Sequence, residues 1–80
     1  MNQDQAEELV KEVLLEIVPD ADLTSTDAQT DFRRELELDS MDFLTLVERL
    51  SVRAGCRIDE DDYPRMATLA GSAALLAERT

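Results

Sequence analysis

The sequence predicts an all-α fold: a four-helix bundle with a long loop between helices 1 and 2 and a short third helix. Three observations lead there. Apolar residues recur at helical spacing in three separate stretches, and no stretch alternates as a half-buried strand would. Pro19 and Gly55 stand where two of those stretches stop. The chain has 80 residues, 44% of them hydrophobic, with one cysteine and no histidine. A domain of that size buries only about 60% of the surface its unfolded chain exposes. With no disulfide to staple it, close helix packing is the available route to stability. Residues 1–80 are read as one domain.

In the first helix Ala6, Leu9, Val10, Val13, Leu14 and Ile17 share one face. Glu7, Glu8, Lys11, Glu12 and Glu16 take the other, with Glu7 and Lys11 spaced for an i, i+4 ion pair. Pro19 lacks an N–H and pushes Val18 out of helical geometry, so the helix ends there. Residues 19–38 form a connection rich in Asp, Thr and Ser, too long to be wholly irregular in a compact domain. A helical turn is expected at 31–36, with Phe32, Leu36, Leu23 and Leu38 pinning the loop to the bundle. Such a crossing is expected to let the second helix run roughly parallel to the first.

The second helix is expected to start at Asp39 and Ser40 and to reach about Ala54. Its apolar set is broad: Met41, Phe43, Leu44, Leu46, Val47, Leu50 and Val52. Gly55 stops it by adopting the left-handed conformation. Cys56, Arg57 and Ile58 follow as an extended stretch with Ile58 turned inward. Four acidic residues, 59–62, favour the start of a short third helix ending near Met66. Thr68 is placed to cap a last helix running to about Glu78, with Leu69, Ala73 and Leu76 facing in.

Composition narrows the function. Eight basic and 19 acidic residues give a net charge of -11, which repels phosphate backbones and argues against nucleic-acid binding. Without histidine the chain cannot assemble a Ser-His-Asp or Cys-His catalytic set, so it is not expected to be an enzyme. Cys56 alone allows no internal disulfide and no multi-cysteine metal site. Asp4, Glu7 and Glu8 give the first residues the wrong sign for a targeting signal. The longest apolar run, 73–77, is far shorter than the roughly 18 residues a membrane span needs. A cytoplasmic monomer without membrane insertion is expected.

The stretch from Leu36 to Leu44 holds the chemistry. Asp39 or Ser40 opens a helix, and Asp39 with Asp42 has the spacing of a capping box built from the shorter acid. Two readings stand side by side. In one, Asp-Ser is a cap and nothing more. In the other, the Ser40 hydroxyl is a covalent attachment point, where a phosphoester gains from free backbone N–H groups and the helix dipole. Ser40 has no neighbouring base, so a separate enzyme would have to activate it.

The sequence resembles the acyl carrier proteins of the phosphopantetheine-binding family. The likeness spans nearly the whole chain: the first amphipathic helix, the acidic loop, and the approach through Thr30, Asp31, Phe32, Glu35 and Leu36. It continues through Leu38-Asp39-Ser40-Met41-Asp42, Gly55 with Ile58, and Asp62-Tyr63-Pro64-Arg65-Met66-Ala67-Thr68-Leu69. The resemblance implies that Ser40 carries 4′-phosphopantetheine, transferred from coenzyme A by a magnesium-dependent phosphopantetheinyl transferase. The arm's thiol would hold acyl groups as thioesters and pass them among acyl-transferring, condensing and modifying enzymes with basic docking patches. Asp39 matches the acidic residue before the modified serine, and Met41 takes the usual leucine's place beside the arm.

Two departures stand out. Glu37 occupies a position where the family often has glycine or another small residue. The second helix, strongly acidic in housekeeping members, holds Asp42 and Glu48 against Arg49 and Arg53. Glu35, Glu37, Asp42 and Glu48 are the expected partner-binding acids. Charge complementarity mainly sets partner choice and association rate, so a dedicated pathway is favoured over bulk fatty-acid synthesis. A peptidyl or aminoacyl carrier (including a D-alanyl carrier) shares these features. An unmodified acidic interaction bundle is the alternative of a different class.

Other features read as structural. A calcium loop from Asp59 would need Gly and Glu where Pro64 and Ala70 stand. One from Asp20 fits at Asp22 and Thr24, but has Ser25 and Asp31 at the Gly and Glu positions. No metal site is expected. Cys56 is read as a partly buried thiol, Tyr63 as a core or rim aromatic, and Arg33 and Arg34 as partners of nearby acids or of a docking protein. The charge is uneven: residues 1–40 hold 12 acids and 3 bases (-9), residues 41–80 hold 7 and 5 (-2).

Overall fold

The computed structural model describes residues 1–23 and 27–80. Its α-helices are α1 (Gln3–Ile17), α2 (Phe32–Glu35), α3 (Ser40–Ala54) and α4 (Leu69–Arg79), with a 3₁₀ helix (Glu60–Ala67) between α3 and α4. The fold is all-α. The element expected as a short third helix is the 3₁₀ helix. Pro64 sits inside it, with no N–H to donate and a ring that in an α-helix would clash with the carbonyl four residues back.

Helix boundaries follow local chemistry. Asn2 caps α1 reciprocally with Gln5, a capping box that composition alone did not bring out. The helix ends at Ile17 with Val18 as cap, one residue before Pro19. Gly55 closes α3 at φ 68°. Thr68 caps α4, its Oγ1 accepting from the Gly71 amide at 2.9 Å. Lys11 lies 3.8 Å from Glu8, one turn of i, i+3, in place of the expected Glu7 pair.

The core joins Ala6, Val10, Val13 and Leu14 of α1 to Leu69, Ala73, Leu75 and Leu76 of α4 and to Phe43, Leu46, Val47 and Leu50 of α3. The broad apolar set of α3 therefore splits: Met41, Leu44 and Val52 are exposed. Ile58 is half-buried against the core. Leu23, Phe32 and Leu38 anchor the connection as expected, and its last part is also hydrogen-bonded to the start of α4. Ala70 donates to the Ala28 carbonyl at 2.9 Å, and Asp31 forms an isolated antiparallel bridge with Thr68. Thr24 and Ser25 of the second calcium-loop reading lie outside the described residues.

The expected parallel run of the first two long helices also fails. Arg49 pairs with Glu16 at 3.1 Å, and Arg53 pairs with Glu16 at 2.5 Å and with Glu12 at 3.1 Å. The acids step backward along α1 as the arginines step forward along α3, so the two helices run antiparallel where they meet. A long connection permits a parallel path without requiring one; here its length is spent covering the core.

The end of α4 is tied to the 3₁₀ helix. Arg79 grips Asp62 with both guanidinium nitrogens, at 2.5 and 2.7 Å, and donates to the Arg57 carbonyl at 3.0 Å. The guanidinium, helped by the Asp59 amide, holds the Asp62 carboxyl down at about 2. At the other end of α4 a Cβ on Gly71 would collide with the Arg65 carbonyl oxygen, so glycine there lets the 3₁₀ backbone approach.

Candidate functional site

The approach to α3 is built by the end of α2. The Leu38 amide reaches back to the Arg33 carbonyl at 2.9 Å and the Glu37 amide to the Arg34 carbonyl at 3.3 Å. This paired closure is a Schellman motif, which demands a left-handed residue at the turn. Glu37 supplies it at φ 55°. The residue that departs from the family pattern thus occupies the one non-glycine left-handed position among the described residues, and a non-glycine residue there costs about 1–2 kcal/mol. Leu38, buried at the turn's exit, fixes the direction in which the chain enters α3.

Asp39 caps α3, its Oδ1 accepting from the Asp42 amide at 2.8 Å, the forward half of a capping box. Ser40 is the first helical residue and is exposed. At that position the amides of Ser40 and Met41 have no acceptor within the helix. Met41 is 77% exposed, a bare apolar side chain beside the serine. The Phe43 ring beneath is packed edge-on by Tyr63, with centroids 5.2 Å apart at 85°. The Arg33 guanidinium lies 3.9 Å from the Phe43 centroid.

The expected site residues separate into two groups. Glu35, Glu37, Asp39 and Asp42 lie within five residues of Ser40 along the chain, the first three exposed and Asp42 half-buried. Glu48 lies about 12 Å further along α3, two turns on. It borders an open groove of about 470 Å³ between α3 and the following segment, lined by Leu44, Val47, Ile58 and Tyr63. Cys56 is half-buried past the far end of α3, remote from Ser40. Among the described residues no group of three or more His, Cys, Asp or Glu side chains is arranged to hold a metal ion.

Chemically this arrangement offers an exposed hydroxyl with free backbone donors beside it, and among the described residues no side chain is hydrogen-bonded to that hydroxyl as an activating base would be. The model of the phosphopantetheine attachment site family matches residues 6–76. The chain belongs to that family. No curated protein and no solved structure matches it. Members of the phosphopantetheine attachment site family carry 4′-phosphopantetheine covalently, and their domains are generally non-catalytic. They generally interact with a phosphopantetheinyl transferase and with biosynthetic enzymes. No helix among the described residues is long and apolar enough to cross a membrane.

Several site features escaped the sequence reading. Arg33 over Phe43 is a contact between residues ten apart with no periodic signal. The α1–α3 pairs did leave one: Glu12 and Glu16, and Arg49 and Arg53, are both i, i+4 pairs at matching spacing.

Proposed function

We propose that Ser40 carries the 4′-phosphopantetheine arm and that the chain is an acyl carrier protein, holding acyl intermediates as thioesters in fatty-acid, polyketide or related specialised biosynthesis. The observation that carries the proposal is Ser40 itself: an exposed hydroxyl at the first position of α3, capped by Asp39, inside a family match covering 6–76. In loading, the Ser40 oxygen attacks the phosphopantetheine phosphorus of coenzyme A. The new P–O bond forms as the bond to adenosine 3′,5′-bisphosphate breaks, and the serine proton passes to a base of the transferase. Afterwards the protein's part is presentation, since group carriers leave the reactive chemistry to the arm.

The scaffold is read as a four-helix carrier bundle in which the 3₁₀ helix takes the third helix's place. Asp39 and Met41 flank the arm. Glu35, Glu37 and Asp42 meet basic partner patches near Ser40, and Glu48 lies on the face that Met41, Leu44 and Val52 leave apolar. Because α3 sets only Asp42 and Glu48 against Arg49 and Arg53, it is less acidic than bulk fatty-acid synthesis would favour, and we assign the carrier to a dedicated pathway. It acts as a cytoplasmic monomer without nucleic acid.

The test is incubation with coenzyme A, magnesium and a broad-specificity phosphopantetheinyl transferase, followed by intact mass. Wild type is expected to gain one phosphopantetheine and Ser40→Ala none. An unmodified wild type, under conditions that load a control carrier, would refute the assignment. Loading by malonyl transfer rather than by an adenylating enzyme separates an acyl carrier from a peptidyl or aminoacyl carrier.

A further inference from the structure

We infer that Arg33 is the cation that faces the phosphate group on Ser40, an assignment resting on the Ser40 reading above. Arg33 brackets the turn that holds Ser40. Its carbonyl oxygen accepts from the amide of Leu38, two residues before Ser40, at 2.9 Å. Its guanidinium lies 3.9 Å from the ring centroid of Phe43, three residues after Ser40. Residues three apart on a helix are neighbours on one face, so the Arg33 side chain is drawn along the flank where α3 begins.

The local charge creates the need. Free amides at the helix start favour an anion there. Asp39 and Asp42 stand on either side of Ser40, however, and Glu35 and Glu37 are close in the chain. A phosphodiester adds a negative charge among like charges, which raises the energy of the modified form unless a cation answers it. Among the described residues neither Arg33 nor Arg34 lies within ion-pair distance of a carboxylate. Of the two, Arg33 is half-buried and held against a ring, whereas Arg34 is exposed. With its carbon against the ring and no carboxylate paired to it, the guanidinium still has N–H donors to offer a phosphate.

The experiment compares unmodified and modified wild type by the Arg33 Nε–H resonance. It then compares wild type, Arg33→Gln, Arg33→Lys and Arg34→Gln by ³¹P resonance and melting temperature at low salt. Intact mass is taken first, so that modification is scored separately. The Arg33 Nε–H resonance is expected to move on modification while that of Arg34 stays. Modification is expected to lower the melting temperature of Arg33→Gln by about 2–5 °C more than that of wild type, with Arg33→Lys intermediate and Arg34→Gln unchanged. A full mass gain with an unmoved Arg33 resonance overturns the Arg33 assignment and leaves Ser40 standing. No mass gain in wild type overturns both. Should Arg33→Gln fail to fold or load, the wild-type resonance comparison decides alone.

Discussion

At the Ser40 end of α3, Glu35, Glu37 and Asp39 are exposed with no ion pair among the described residues, Met41 is bare, and Glu37 holds a left-handed backbone. At the far end, Arg49 and Arg53 are engaged by α1, Arg57 pairs with Asp59 at 2.6 Å, and Asp62 is gripped by Arg79. Both ends are rich in charge, but only one satisfies it internally. Exposed pairs contribute at most about 1 kcal/mol each, so the difference is less about total stability than about where charge remains available. The paired end fixes α3 against its neighbours, while the unpaired end leaves its acids without internal partners among the described residues, which is what the proposed docking of basic partners requires.

The packed side is broken hardest at Gly71. Gly71→Ala drives a Cβ into the Arg65 carbonyl, and the 3₁₀ helix must back away from α4. A loss of about 1–3 kcal/mol is expected in urea unfolding, with Ser40 still modifiable in the folded fraction. A neutral outcome would show that the 3₁₀ helix is not held close to α4.

Acid acts next, and on the same side. The Asp62 carboxyl is held at about 2 in the folded chain, below its ordinary value of 3.8. Its contribution is fully present above about pH 4 and is lost as pH falls through 2. Asp62→Asn is expected to lower stability at pH 7 and to flatten the decline between pH 4 and pH 2, followed by circular dichroism. Equal slopes for the two proteins would remove Asp62 from the acid response.

The smallest effect has the opposite sign and falls at the Ser40 end. Glu37→Gly relieves the left-handed strain and is expected to stabilise the fold by about 0.5–1 kcal/mol. It also removes an acid, so association with a basic partner should slow while the melting temperature rises. If stability falls instead, the Glu37 side chain contributes more than its backbone costs.

What the sequence disclosed and what it hid divide along physical lines. Pro19, Gly55 and Thr68 act on their own backbone, so residue type alone placed the ends of α1 and α3 and the start of α4. Ser40 and Asp39 were legible for the same reason, since a cap and the residue after it are local features. The antiparallel run of α1 and α3 was not, because it depends on how two faces meet. The left-handed state of Glu37 was not read either: the hydrogen bonds of α2 impose it, glutamate itself gives no sign of it, and the glycine usual there in the resembled family was the available hint. The short third helix was legible from the acids at 59–62, but not its 3₁₀ winding, which the residue types there do not specify.

The cap of α3 has one further consequence. The oxygen that closes the helix belongs to Asp39, and the oxygen open to reaction belongs to Ser40. Had one hydroxyl done both, every attachment would have unfastened the first turn and every removal would have had to refasten it. With the tasks on adjacent residues, the attachment proposed at Ser40 could be made and removed repeatedly while the shaft that holds it keeps its shape.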